Sequence, residues 1–419
     1  MNHDIVQLNP QGEECSRIRT LQIGMGWFPE QAGGLNRFYY DCARHLPAAG
    51  IGIRGLVAGS PQVFQDSQEQ IQAFAPQKAS LLERWQGARS AARQLLKEEE
   101  LPLVVSHFAL YGFPILNLIG DRPLVVHFQG PWALESQVEG HSSVNIWMKK
   151  TLEQKHYQRA SKLIVLSTAF RDLLHQTYQI PLDRIHVVPP GVDLDRFAFS
   201  DSRENARSQL GWDLDRPILF ATRRLVKRTG LENLVSAMSV VRQRYPDALL
   251  LIAGKGELAE TLQQQIESLD LTNQVRLLGF VAEDQLALAY RAADFSIVPT
   301  LSFEGFGLSM IESLASGTPV VGTPIGAIPE VLRPLSDDLV FEGSSTEHLA
   351  QGILEILSGQ RSLPNAETCR AYVKDHYAWS VVAQQIKAVY SAALSSPSPA
   401  PIRFSSSPRS EIIRRALSR

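Results

Sequence analysis

The stretch from Val298 to Leu332 constrains the fold more than any other: V-P-T-L-S-F-E-G-F-G-L-S-M-I-E-S-L-A-S-G-T-P-V-V-G-T-P-I-G-A-I-P-E-V-L. An apolar run, Ala293 to Pro299, leads into it and reads as a strand. A loop follows with Glu304 between aromatics and glycines at 305 and 307. Leu308, Ile311, Leu314 and Ala315 then share one face at helical spacing. Gly317 and Pro319 stop that helix, and Pro319-Val320-Val321 begins another strand. Strand, loop, helix and strand in this order make a parallel α/β unit.

Two details add chemistry. Gly305 and Gly307 leave the backbone bare where the helix starts, and amides at a helix N-terminus attract anions. Glu312 falls on or beside the apolar face, where an unpaired carboxylate is costly; a diol such as a ribose supplies two donors. The spacing alone leaves an alternative open, in which Glu304 is solvated and Glu312 caps a turn or pairs with an arginine.

The run E-G-F-G-L-S-M-I-E, followed by S-L-A-S-G-T-P-V-V and G-A-I-P-E, resembles the signature of the retaining, GT-B-fold glycosyltransferases of family 4. The resemblance extends from about Leu21 to about Ala393. It implies an α/β fold of two Rossmann-like domains facing across a cleft, with a final helix crossing back to the N-terminal domain. The expected boundaries are a flexible lead over 1–17, an acceptor-binding domain over 18–197, a nucleotide-sugar-binding domain over 198–376, a crossover helix over 377–394 and a disordered tail over 395–419.

Bulk properties agree with a two-domain globular protein. At 419 residues one core is too small a prior. The chain is 44% hydrophobic and 20% charged, and its net charge of −2 gives no global basic bias toward nucleic acid. Cys15, Cys42 and Cys369 lack metal spacing and an even count, which fits a reducing compartment. The first nineteen residues carry acids and do not read as a signal peptide. No apolar run reaches membrane-spanning length. The expected location is cytoplasmic, at most on the inner face of a membrane.

Along the chain, Ile18 to Gly24 reads as a strand. Gly33-Gly34 then opens a helix through about Ala49, a place where backbone can approach a phosphate. The resemblance gives Gly33 and Gly34 a donor-binding role, with Asn36 or Arg37 beside them. Ile51 to Ala58 is a strand, 60–80 shows no callable structure, and Leu81 to Glu100 is a helix. Two strands end in histidine, at His107 and His127, and ligands of parallel sheets sit at such ends. A satisfied core histidine is the alternative at each. V-V-H-F-Q-G-P-W resembles the family's strand-end histidine motif, which makes His127 the candidate that approaches the transferred sugar. His107 and Trp132 become acceptor contacts.

The predicted helix Val144 to Ser161 carries Lys149, Lys150 and Lys155. These form either a solvated face or a basic face that docks on anionic lipid. Strands follow at Leu163–Ser167 and Ile185–Pro189. Pro190-Gly191-Val192-Asp193 resembles the family's domain junction, and 198–216 is a polar link.

The second half begins with the strand Pro217 to Ala221. Arg223, Arg224, Lys227 and Arg228 crowd the loop after it, and fixed cations stabilise a leaving diphosphate. The run resembles the family's G-R-L-x-x-x-K-G element. Arg224 falls on its arginine; Thr229 stands where its lysine would, so the second cation is Arg228 or Lys227. Gly254-Lys255-Gly256 after the strand Ala248–Ala253 resembles the donor-lining G-x-G element, and Val281 the backbone that reads a nucleobase. Leu339 to Glu342 reads as a short strand, with helices at 346–358, 366–376 and 378–393. Ser410 to Arg419 reads as a short basic amphipathic helix.

The expected function is transfer of a hexose-type sugar from a nucleotide-sugar, first of all a UDP-sugar, to a glycan or lipid-linked acceptor in polysaccharide or glycolipid biosynthesis. Glu304, His127, Arg224 and Arg228 are the expected catalytic residues. Glu312, Lys227, Gly33, Gly34, Phe306, Gly307, Leu308, Gly254 and Val281 line the donor. No metal or other cofactor is expected: Asp193-Leu194-Asp195 and Asp213-Leu214-Asp215 have metal-motif spacing but sit where turns put aspartate. The alternatives are a non-catalytic nucleotide or sugar binder on the same fold, and a dinucleotide-dependent oxidoreductase. For the latter, Gly24-Met25-Gly26 lacks the third glycine.

Overall fold

β-Branched and leucine runs bounded by glycine and proline build two all-parallel sheets, each buried on both faces. The computed structural model describes residues 18–197 and 202–396. The described residues divide into two compact units. The first takes those of Met1–Val165, Arg171–Val188 and Val382–Arg419; the second takes Leu166–Phe170 and those of Pro189–Val381.

The first unit holds β1 (Ile18–Gly26), β2 (Ile51–Ala58), β3 (Ile71–Ala75), β4 (Leu103–Ser106), β5 (Leu124–Phe128), β6 (Lys162–Val165) and β7 (Ile185–Val187). Their order is β3-β2-β1-β4-β5-β6-β7. The second holds β8 (Ile218–Thr222), β9 (Leu249–Ala253), β10 (Val275–Gly279), β11 (Phe295–Val298) and β12 (Val320–Gly322), in the order β10-β9-β8-β11-β12. Both sheets are Rossmann-like, and each reverses its strand order once, at β1/β4 and at β8/β11. Ligands of such sheets bind outside the carboxyl ends at that reversal.

Most expected elements form within two residues of their expected ends. The Gln-rich segment 60–80, expected to lack structure, contains a short helix, Gln62–Asp66, and the edge strand β3. Leu339 to Glu342 forms no strand: a 3-10 turn covers Asp337–Leu339, and Val340 makes a single bridge to Gly322. The polar link contains the helix Arg203–Leu210, capped by Ser202 and tied by Arg203 and Arg207 to Asp294. The expected lead over 1–17 with Cys15, and the helix Ser410–Arg419, lie outside the described residues, as does the expected tail beyond Ser396. Among the described residues, no helix is long and apolar enough to cross a membrane.

The G-A-I-P-E run has a structural task at its last residue. Both carboxyl oxygens of Glu330 accept backbone N–H bonds, from Thr168 at 2.8 Å and Ala169 at 2.7 Å. These are first-turn amides of the Thr168–Tyr178 helix, which have no intrahelical acceptor. Glu330→Ala is expected to lower stability by about 1 kcal/mol, the usual cost of a lost helix cap, read as a fall in the thermal unfolding midpoint.

Candidate active site

The switch point of the second sheet carries a charged cluster. β8 ends at Thr222, and Arg223 follows with its amide still bonded to the Ala253 carbonyl. β11 ends at Val298, and Thr300 follows. The Arg223 guanidinium donates to Glu304 and, at 2.8 Å, to the Thr300 hydroxyl, which itself donates to Glu304 Oε2 at 2.8 Å. Glu304 is 6% exposed, so the open alternative of a solvated acid is excluded. Burial alone would push its carboxyl up; Arg223, Thr300 and the nearby Arg228 outweigh it and hold it below the ordinary 4.5.

The backbone around this pair leaves no spare room. Gly254 has φ +144, and a Cβ there would lie 1.8 Å from the Arg223 carbonyl oxygen. Gly326 backs onto the Glu304 carbonyl in the same way, at 2.2 Å. Gly307, at φ +80, is the N-cap of the Leu308–Ala315 helix. Gly305 differs from expectation: it is buried, and a Cβ would meet the Phe170 ring at 2.3 Å. Its glycine serves packing rather than an open backbone. Phe306 is also buried, with its ring 5.4 Å from that of Tyr377, so it offers a ligand only its amide.

One polar atom of this cluster, Arg223 Nε, is buried without a hydrogen-bond partner among the described residues. Buried polar atoms are normally paired, so an unpaired donor in a buried ion pair marks a place suited to a polar ligand. Glu312, half-buried, accepts from the Tyr290 hydroxyl at 3.1 Å.

The four cations separate. Arg223, which the motif did not select, turns inward. Arg228 lies near the Phe303 carbonyl, at 3.5 Å, and within electrostatic reach of Glu304. Arg224 and Lys227 are exposed. Lys255 covers the exposed Phe280 ring, 5.2 Å from its centroid, and Val281 is half-buried beyond it.

The first unit's switch point is of another kind. His107 and His127 stack, ring centroids 4.5 Å apart and planes 9° from parallel. His107 Nε2 bonds Gln22 Oε1 at 3.0 Å, and His127 Nε2 bonds the Tyr390 hydroxyl at 2.9 Å. Both rings are 1% exposed. Neither presents a nitrogen at the surface, so the expected contacts of His127 with a sugar and His107 with an acceptor are not made by these rings as they stand. Burial pushes His127 down to about 3, and burial with the neighbouring ring puts His107 well below 6.5. The pair is neutral at neutral pH.

Gly33 and Gly34 are exposed, with the helix starting at Gly34. Arg37 is not available to a phosphate: it is buried, pairs with Asp41 at 3.0 Å and covers the Phe28 ring. Asn36 is buried and bonds the Gln31 carbonyl. Asp193 caps the Arg196 amide and Asp213 accepts from the Asp215 amide, the turn roles expected of them. Lys149 and Lys155 do not form an outward basic face. Both line a pocket with Trp132, Lys149 lying 4.6 Å above that ring, and only Lys150 is fully exposed.

Two outcomes follow. Arg223→Met leaves a buried carboxylate unpaired and is expected to cost about 3 kcal/mol, with Glu304→Gln in the same chain restoring most of it in thermal unfolding. Stability is also expected to fall with pH from 6.5 toward 3. The unfolded chain protonates its histidines in that window while His127 stays neutral in the folded one. His127→Gln should flatten that slope in pH-dependent unfolding.

Comparison with known proteins was made on sequence and on fold. The family model described as glycosyl transferases group 1 matches residues 202–376, and that of glycosyltransferase family 4 matches residues 32–196. The D-inositol 3-phosphate glycosyltransferase of Segniliparus rotundus is 31% identical over 309 residues, which are 72% of this chain and 68% of that protein. A GDP-mannose-dependent monoacylated alpha-(1-6)-phosphatidylinositol monomannoside mannosyltransferase of Corynebacterium glutamicum is 31% identical over 208 residues, 48% of this chain and 54% of that one. Against several curated relatives the chain thus spans little more than half of their length. Sucrose-phosphate synthase from Thermosynechococcus elongatus has a TM-score of 0.77 at 22% identity, covering 90% of this chain and 100% of that one. Anabaena HepE in complex with UDP-glucose has a TM-score of 0.72 at 21% identity, covering 89% and 99%.

Proposed function

The chain belongs to the group 1 glycosyltransferases of family 4, and from that membership we propose the following reaction. A hexose passes from a nucleotide-sugar, first of all a UDP-sugar, to a hydroxyl of a glycan or lipid-linked acceptor. The anomeric configuration is retained and no metal takes part. The product belongs to polysaccharide or glycolipid assembly. The observation that carries this reading is the Arg223–Glu304–Thr300 cluster at the second sheet's switch point, with Arg223 Nε left unsatisfied. UDP as the nucleotide is supported by the UDP-glucose bound to the Anabaena protein; the GDP-mannose dependence of the Corynebacterium relative makes GDP its competitor.

In this proposal the donor lies on the second unit. Glu312, already accepting from Tyr290, takes the ribose hydroxyls. Glu304 takes hydroxyls of the sugar on the oxygen that Arg223 and Thr300 leave open, so Arg223 positions the acid rather than touching phosphate. Arg224 and Arg228 lie against the diphosphate, with Lys227 at its edge. The amides of Phe306, Gly307 and Leu308, at the start of a helix, face the same charge. Gly254 and Val281 border the nucleoside with their backbone.

Bond making and breaking then need no protein nucleophile. The acceptor oxygen bonds to the anomeric carbon as the carbon–phosphate-oxygen bond breaks, and the acceptor proton passes to the leaving phosphate oxygen. Negative charge grows on the diphosphate during this step, where fixed guanidinium groups stabilise it without reorganisation. That is the part a divalent ion plays in other transferases.

UDP is expected to raise the unfolding midpoint more than GDP or ADP. Arg224→Ala and Arg228→Ala are each expected to cut turnover about a hundredfold, the first with an unchanged midpoint in the absence of ligand. A chelator should leave the rate as it was. Near-normal turnover in both variants would remove the clamp from the mechanism. Binding of UDP-sugars with neither transfer nor hydrolysis would favour the non-catalytic binder.

A further inference from the structure

Tyr290 stands on the helix Glu283–Ala292 of the second unit and is 1% exposed. Its ring packs edge-on to Phe220 of β8, centroids 5.3 Å apart, and tilts against Phe197 at 6.4 Å. Packing on two rings gives the hydroxyl a fixed direction, and it donates to Glu312 Oε2 at 3.1 Å. A phenol in this place stays a donor. Burial first, and then the Glu312 charge, hold it well above its ordinary 10.

The Leu308–Ala315 helix, which carries Glu312, is itself pinned by buried hydroxyls. Ser313 donates to the Thr318 carbonyl at 2.9 Å and shares a hydrogen bond with the Ser296 hydroxyl of β11 at 2.8 Å. The Thr318 hydroxyl donates to the Tyr290 carbonyl at 2.7 Å. Strand β11, the helix of the acid and the helix of the tyrosine are thus tied to one another. These ties set where Glu312 emerges; the phenol then sets which way its carboxyl group faces. A carboxylate that accepts from two adjacent hydroxyls needs that direction fixed by the groups behind it, because rotation about its last bond moves both oxygens.

We propose that Tyr290 is a positioning residue: its hydroxyl orients the Glu312 carboxyl toward the ribose diol and so makes the site selective for ribonucleotides over their deoxy counterparts. The proposal rests on the ribose-binding role given to Glu312 and adds the residue through which that role is exercised. Tyr290 itself meets no substrate. Loss of its phenolic oxygen keeps the ring between Phe197 and Phe220 and removes one charge-assisted hydrogen bond. The carboxyl group is then free to turn from the diol. The groups assigned to the diphosphate and the base stand on other segments and keep their places.

The test is calorimetric titration of the full chain with UDP and with 2′,3′-dideoxy-UDP; should GDP stabilise the chain more than UDP, GDP and 2′,3′-dideoxy-GDP are the pair. The unaltered chain is expected to bind the ribonucleotide about a hundredfold more tightly, the worth of two hydrogen bonds to a charged group. Tyr290→Phe should weaken the ribonucleotide about tenfold and leave the dideoxy form as it was, so the ratio shrinks about tenfold. Thr318→Val is the control for loosened packing. It removes the bond to the Tyr290 carbonyl and keeps the phenol, and it should lower the unfolding midpoint without changing the ratio. An unchanged ratio in Tyr290→Phe, or an equal shrinkage in Thr318→Val, would overturn the positioning role and leave Glu312 on the ribose. Binding of no nucleotide, or equal binding of both forms by the unaltered chain, would remove Glu312 from the ribose and the positioning role with it.

Discussion

The ion pair between Arg223 and Glu304 is the interaction on which the second unit's site depends. Two ions taken out of water are stable only when paired and hydrogen-bonded, and here the pair joins the segments that follow β8 and β11. Thr300 completes it from a third position. Gly254 and Gly326 are the backbone counterpart, since each makes room for the chain that carries one partner of the pair. A carboxylate fixed in this way stays charged well below neutrality and keeps one direction. The sugar-binding role proposed for Glu304 needs both properties.

The same topology is used to opposite electrostatic effect in the two units. In both, the strand order reverses once and loops open at the carboxyl ends. At β8/β11 the loops are filled with arginine, glutamate and glycine. At β1/β4 and on β5 they are filled with two neutral stacked imidazoles, Phe38 and a glutamine, with Tyr390 of the last helix closing the row. One end holds charged side chains; the other buries neutral ones. That difference follows from side chains placed at equivalent strand ends and requires no difference in fold.

Strand ends, helix starts and the acid pair could be read from the chain because they depend on local order: apolar runs, glycine and proline punctuation, and a fixed interval between Glu304 and Glu312. What could not be read depends on contacts across the sheet. Arg223 and Arg224 are adjacent in sequence, and only the ladder bond from Arg223 to Ala253 decides which of them turns inward. Gly305 looked like open backbone because nothing nearby in the chain announces Phe170. Strand β3, I-Q-A-F-A, is short, at an edge and set in a Gln-rich segment, and its pairing with β2 makes it a strand. The burial of His127 is settled by Tyr390, 263 residues away. Tyr290 under Glu312 was equally silent, an unremarkable residue of a helix until the fold brings it to the acid.

The chain's path between its two units has a practical corollary for dissecting it. Leu166–Phe170 and the stretch from Pro189 to Phe197 belong to the second unit, although both precede the segment 202–376 that the family model covers. So do Ala378 and Trp379, which follow it. A recombinant fragment limited to 202–376 would lose the Phe170 ring that seats against Gly305 and the Trp379 ring that seats against Gly191 along with Gly191 itself. Its exposed apolar surfaces would invite aggregation, and a poor yield from such a fragment would say nothing about the Arg223–Glu304 cluster inside it.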